Sequence, residues 1–210
     1  INPNLKHRLL EPECLVALNG VEEIFGISQT EFGLRIGAME SLTNVETNTL
    51  IQQLAPGLAS ASRQVSGPQL RNMGTIGGNI ANGSPIGDTP PVLIALGAEV
   101  SLVSARGARR MPLQDYFIAY GKQDRAIDEF VSAIHIPRLP ADSHFCGYKI
   151  TKRRDEDISA VSAGFFVALR GDIITSARLA YGGMAGTPMR AAKAEAALIG
   201  APFTRASFAK

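Results

Sequence analysis

Apolar residues in this chain fall into short runs separated by glycine, proline and polar clusters, and their spacing switches between a period of two and a helical period. Cys14–Leu18 reads as a strand ending at Asn19-Gly20, and Gly33–Ala38 as a second strand with alternating character. Thr43 and Glu46 have the spacing of a capping box, and from Val45 to Gln64 the pattern predicts two helical stretches broken by Pro56-Gly57. Asp88 is placed to N-cap a helix that carries Pro90 and Pro91 in its first turn and stops at Gly97. Glu99–Val103 and Arg109–Leu113 predict two strands joined by a turn at Arg106-Gly107. Glu129–Ile136 is a third, stopped by Pro137, and Phe145–Thr151 a fourth. Beyond Ile158 the texture is β-rich, and Ser159–Leu169 and Ile173–Tyr181 flank Arg170-Gly171-Asp172 as a hairpin. The alanine-rich Arg190–Leu198 then predicts a helix ending by Gly200. At the other end, Asn2–Arg8 reads as a helix start with Pro3 near N1.

This order predicts an α+β fold. A division near Pro137–Lys149 would give a first domain over residues 1–140 and a smaller α+β domain over 141–210 built on an antiparallel sheet. The 210 residues suffice for one large domain or two small ones. With 45% hydrophobic and 19% charged residues the chain reads as an ordinary globular protein, and a formal charge of +2 selects no anionic partner, nucleic acid included. The longest apolar runs, such as Pro91–Leu96, fall far short of the roughly 20 residues a membrane helix needs. Cys14 and Cys146 have no metal-binding spacing and suit reduced thiols of a cytoplasmic protein; His7, His135 and His144 fit no triad or ligand set.

The densest chemistry lies in Thr75-Ile76-Gly77-Gly78-Asn79-Ile80-Ala81-Asn82-Gly83-Ser84-Pro85-Ile86-Gly87-Asp88. Two adjacent glycines let backbone approach a bulky anion, and Asn79, Asn82, Ser84 and Asp88 supply polar groups able to orient a hydroxylated ligand. Neither G-x-G-x-x-G nor the P-loop pattern is present. Taken alone, Gly77-Gly78 reads as a tight turn between packed elements, and the polar residues that follow argue against that reading.

Together with Val65-Ser66-Gly67-Pro68-Gln69-Leu70-Arg71-Asn72-Met73-Gly74, this run resembles the flavin-binding segment of the molybdenum hydroxylases, the group containing xanthine dehydrogenase, aldehyde oxidase, carbon monoxide dehydrogenase and 4-hydroxybenzoyl-CoA reductase. Tyr120–Arg125, Glu129-Phe130-Val131 and Ile134–Pro137 resemble bacterial xanthine dehydrogenase small subunits in particular. Tyr148–Ile158 and Tyr181–Ala185 are similar to the family's next two signatures, so the likeness covers residues 55–200.

The resemblance implies a PCMH-like FAD-binding domain followed by a flavoprotein C-terminal domain. It implies that the amides of Thr75, Ile76, Gly77, Gly78 and Asn79 receive the FAD pyrophosphate, that Asn79 bonds the phosphate or ribityl region, and that Asp88 accepts from cofactor hydroxyls in addition to capping its helix. Val65 stands where several relatives carry an aromatic residue against the cofactor, so here only apolar contact remains. Val131 is either an FAD contact or a core residue. Lys149 would lie beside the flavin and favour its anionic reduced form, although the run Lys152–Asp157 reads on charge alone as a solvated loop. A further strand and a glycine loop gripping the pyrophosphate are implied upstream of Ile1.

The implied role is electron transfer in purine metabolism: [2Fe-2S] clusters fed by a molybdenum cofactor on partner domains or subunits reduce FAD, and NAD collects the electrons. No catalytic residue and no metal ligand is assigned to this chain. The alternatives are the FAD subunit of an aldehyde, carbon monoxide or aromatic acyl-CoA enzyme, a free-standing flavin oxidase, or a nucleotide-binding subunit without turnover.

Overall fold

The computed structural model describes residues 6–9, 11–153 and 156–209. After a 3-10 turn at Glu22–Ile24, strands β1 (Ile27–Thr30) and β2 (Gly33–Gly37) form a hairpin, followed by six short helices: α1 (Leu42–Thr47), α2 (Thr49–Leu54), α3 (Pro56–Arg63), α4 (Pro68–Met73), α5 (Ile76–Asn82) and α6 (Thr89–Ala95). Next come β3 (Glu99–Ser104), β4 (Gly107–Pro112), α7 (Leu113–Tyr116), a ribbon of β5 (Phe117–Ala119) and β6 (Lys122–Gln123), and β7 (Phe130–Pro137). The remainder is β8 (Ser143–Ile150), β9 (Val161–Arg170), β10 (Ile173–Gly182), β11 (Met189–Arg190), α8 (Ala192–Leu198) and α9 (Arg205–Phe208). The result is α+β, with two larger antiparallel sheets ordered β1-β2-β7-β3-β4 and β11-β10-β9-β8.

Strands β3 and β7–β10 form where apolar residues alternate or run continuously between turn residues, and each finds a neighbour. β7 is the centre of the first sheet, with Val131, Ala133, Ile134 and Ile136 buried. Ile36, Val45, Ile51, Leu58, Ile76, Ile80, Leu93, Leu102 and Ile134 are fully buried in one core, each side chain contributing about 1.5–3 kcal/mol by removal from water.

Every residue of α6 is buried. On one side it joins this core, and on the other it lies against glycines of the second sheet: a Cβ at Gly164 would sit 2.7 Å from the Pro91 carbonyl oxygen. Arg178 of β10 anchors its far end, donating from Nε to the Ala95 carbonyl at 2.6 Å while its guanidinium lies 4.1 Å from the Phe166 ring centroid. A cation at these last carbonyls also complements the helix dipole.

Several local expectations are corrected. Cys14–Leu18 is not a strand; no neighbouring strand pairs with it among the described residues, and Leu15 and Val16 are exposed. The helix start read at Asn2–Arg8 lies largely outside the described residues. Ser41, not Thr43, caps α1, its Oγ accepting from the Asn44 amide at 3.0 Å, whereas the Thr43 hydroxyl turns to Asn72 Oδ1. Val45–Gln64 holds three helices: Asn48 ends α1 and caps α2, and Pro56 opens α3 at its first turn instead of interrupting a helix.

Candidate cofactor site

The glycine-rich run begins a helix. Thr75 is its N-cap, with Oγ1 accepting from the Gly78 amide at 3.0 Å, Ile76 and Ile80 supply the buried i, i+4 pair, and Gly83 closes it at φ +61°. The first-turn amides are already engaged: Ile76 donates to Glu40 O, Gly77 to Ala38 O, Gly78 to Thr75 Oγ1 and Asn79 to Thr75 O. They are therefore not a row of free donors awaiting an anion, and a ligand oxygen would have to share or exchange these bonds.

The two glycines do different work. Gly77 is buried against the turn after β2, where a Cβ would lie 2.5 Å from Ala38 Cβ and 2.7 Å from its carbonyl oxygen. Gly78 is exposed, and an added Cβ would meet only Thr75 Oγ1, at 2.8 Å. Gly77 thus serves packing, while Gly78 leaves the surface of the helix start bare.

From this helix a series of polar contacts runs toward the second sheet. Asn79 Oδ1 accepts from the fully buried Thr89 hydroxyl at 2.6 Å. Asp88 occupies the N-cap position of α6 without capping it. Its Oδ2 instead pairs with Lys149 Nζ at 2.7 Å, and its Oδ1 accepts from the Ser159 hydroxyl. Lys149 also donates to the Gln64 carbonyl at 2.9 Å. Only 10% of the Lys149 side chain and 11% of that of Asp88 are exposed, so the pair is largely withdrawn from water.

Lys149 lines a polar cleft of about 540 Å³ together with Gln64, Ser66, Gly67, Arg71 and Thr151. The loop beside it closes on Asp157, whose carboxylate accepts from the amides of Lys152, Arg153 and Ile158 and from the Arg153 guanidinium. Those Arg153 bonds are the main reason its carboxyl is held below the usual range. Residues 154 and 155 of the charged run lie outside the described set. A second hollow of about 530 Å³, lined by His144, Cys146, Tyr148, Phe165, Tyr181 and Phe203, is mainly apolar and contains none of the expected site residues. Because side chains alternate along β8, it opens on the sheet face opposite Lys149.

Of the expected residues, the structure links Asn79, Asp88 and Lys149 through these contacts, with Thr75 and Gly78 on the same helix start. The Ile76 side chain belongs to the core. Val65 is partly buried and packs on that core, and the Val131 side chain lies within it. Its neighbouring signature is a structural lock: Arg109 forks onto Glu129 at 2.7 and 2.8 Å, Arg125 donates to the Glu129 carbonyl, and the Arg109 bond chiefly depresses the Glu129 carboxyl to about 2. Sequence reading missed Gln64, Ser66, Arg71, Thr89 and Ser159, none of which had been assigned a role at the site.

These features describe an α+β cofactor-binding module. Residues 1–139 match the family model for the FAD binding domain in molybdopterin dehydrogenase, and 147–210 that for the CO dehydrogenase flavoprotein C-terminal domain. The chain belongs to this molybdenum hydroxylase FAD-binding family. It is 35% identical to the glyceraldehyde dehydrogenase medium chain of Sulfolobus acidocaldarius, over 94% of this chain and 70% of that one. It is 32% identical to the xanthine dehydrogenase FAD-binding subunit of Escherichia coli O157:H7, over 90% and 65%. In structure it resembles carbon monoxide dehydrogenase from Hydrogenophaga pseudoflava with a TM-score of 0.93 and 32% identity, over 98% of this chain and 71% of that one.

Proposed function

We propose that this chain holds FAD at the Thr75–Asn79 helix start, Asp88, Lys149 and the turn at Val65, and serves as the electron-transfer portion of a molybdenum hydroxylase of the xanthine dehydrogenase type. The observation that carries the reading is the linkage of the bare Gly78 surface and Asn79, through Thr89, Asp88 and Lys149, to a polar cleft. The residues fit such a group: Gly78 keeps an exposed helix start free of side chain, and Asn79, Thr89, Asp88, Lys149 and Ser159 bring polar groups from distant parts of the chain into paired contacts. Bound FAD supplies a carrier that exchanges two electrons with its partners.

The side chains orient this group more than they react with it. With Asn79 Oδ1 engaged by Thr89, its amide NH₂ is left to donate to a ligand oxygen. Lys149 uses two of its three N–H bonds on Asp88 and Gln64, leaving one for the ligand. Since Asp88 offsets the Lys149 charge, the pair tunes a nearby ring less than a lone cation would.

In this reading iron-sulfur and molybdenum-bearing partners deliver electrons, NAD receives them, and the enzyme works in the cytoplasm on a purine. A second reading replaces xanthine by an aldehyde, carbon monoxide or an aromatic acyl-CoA. It is favoured by relatives named for glyceraldehyde, xanthine and carbon monoxide lying within 32–35% identity of this chain.

Gly78→Val in the assembled full-length enzyme tests the role. Flavin content should fall and NAD⁺ reduction cease, while xanthine still bleaches the iron-sulfur absorbance. Full flavin occupancy in that variant would remove Gly78 from the site. Loss of cluster bleaching with the other cofactors fully loaded would put the chain upstream in electron flow, and bleaching by an aldehyde but not xanthine would select the second reading.

A further inference from the structure

The turn between α3 and α4 holds an unusual backbone state. Ser66 has φ +47°, a left-handed conformation that costs a side-chain-bearing residue free energy unless its surroundings enforce it. Three consecutive carbonyls around it are held by two cations: Lys149 Nζ bonds Gln64 O at 2.9 Å, and Arg71 Nη1 bonds Val65 O at 3.2 Å and Ser66 O at 2.7 Å. Arg71 is itself confined, its side chain 15% exposed and its Nε 3.5 Å from Glu46 Oε2. Because a trans peptide points its N–H opposite its C=O, the Ser66 and Gly67 amides face away from the Arg71 guanidinium. Neither amide has an acceptor among the described residues, and both residues line the polar cleft.

We propose that Arg71 is a positioning residue for the cofactor: by gripping the Val65 and Ser66 carbonyls it locks the left-handed turn that shapes one wall of the cleft. It acts through the backbone of Val65–Gly67, with no contact to the cofactor required. The proposal rests on FAD occupying this cleft, but the lock can be read without FAD.

The test uses the full-length protein in its assembled enzyme, with Arg71→Met, Arg71→Lys, Ser66→Gly and the Ser66→Gly/Arg71→Met double variant. Hydrogen exchange of the cofactor-free protein over residues 64–67 reads the lock, while FAD dissociation and the visible circular dichroism of bound flavin read its consequence. Arg71→Met is expected to raise exchange at Gln64 and Val65, whose amides donate to the Ala61 and Ser62 carbonyls, to weaken FAD roughly tenfold and to alter the flavin dichroism. Ser66→Gly, which removes the left-handed penalty, should restore most of that affinity in the double variant. Arg71→Lys keeps the charge but lacks the reach of the guanidinium and should resemble Arg71→Met.

Unchanged exchange and affinity in Arg71→Met would overturn the proposal. So would a loss that Ser66→Gly fails to restore or that Arg71→Lys repairs fully, since either would mean a charge effect or a general folding role. A wild-type enzyme that binds no FAD refutes the cofactor reading and, with it, the positioning role. A wild type that binds FAD while Arg71→Met binds it equally refutes the positioning role alone.

Discussion

Replacing Lys149 by Met would leave the Asp88 carboxylate largely buried with Ser159 as its remaining partner. Breaking one side of a buried pair costs about 3–5 kcal/mol, and the residual Ser159 bond and slight exposure put this case near the lower end, about 3 kcal/mol. For a chain of this size that corresponds to a fall in Tm of roughly 6–12 °C. Asp88→Asn in the same background removes the stranded charge, so the double variant should return to within about 1 kcal/mol of wild type. Urea unfolding of the full-length protein, with and without cofactor, measures both quantities. Where FAD is bound, Lys149→Met should also lower the flavin midpoint potential and the double variant should reverse most of that change. A loss below about 1 kcal/mol for Lys149→Met, or a double variant no more stable than the single, would refute the claim that the pair is desolvated and coupled.

Gly77→Ala should destabilise by about 1–3 kcal/mol or more, because its Cβ meets Ala38, while Gly78→Ala should be nearly neutral, a better helix residue offsetting a disturbed Thr75 cap; urea titration of the two variants would contradict this if their order were reversed. His135, bonded to Ser101 Oγ, is lowered from 6.5 to about 4, chiefly by burial and then by Arg110 and Arg35. The unfolded chain therefore binds more protons between those values: this stability is complete above pH 6.5 and is lost as pH falls toward 4, by no more than about 3 kcal/mol, and His135→Gln should flatten that slope in melts from pH 4 to 7.

The two- and three-residue β5, β6 and β11 were too short to show a pattern, whereas strands β3, β4 and β7–β10 were legible from apolar runs and strong turn signals, as at Gly107 and Gly171. Helices α4 and α5 were not: α4 has no buried residue, and α5 contains the glycine pair that reads as a loop, so neither presents much of an apolar stripe. The site was half readable. Asn79, Asp88 and Lys149 carry the motif, but their use depends on partners far away in sequence: Lys149 reaches 85 residues back to Gln64, and Ser159 reaches 71 back to Asp88. Such pairings have no local periodicity. The same distance hid the loss of the Asp88 cap, since a short acid before a proline-started helix normally bonds that helix, and here Lys149 and Ser159 take it instead.

Helix α6, pressed against the glycine backbones of one sheet and immersed in the core of the other, acts mechanically as a common axle. Opening the two sheets like a jaw would tear Pro91 and Val92 from Gly164 and pull Arg178 off the helix end, so this packing opposes a hinge between them. A ligand held between Asn79 and Lys149 would therefore meet a seat assembled in advance and lose little affinity to ordering it.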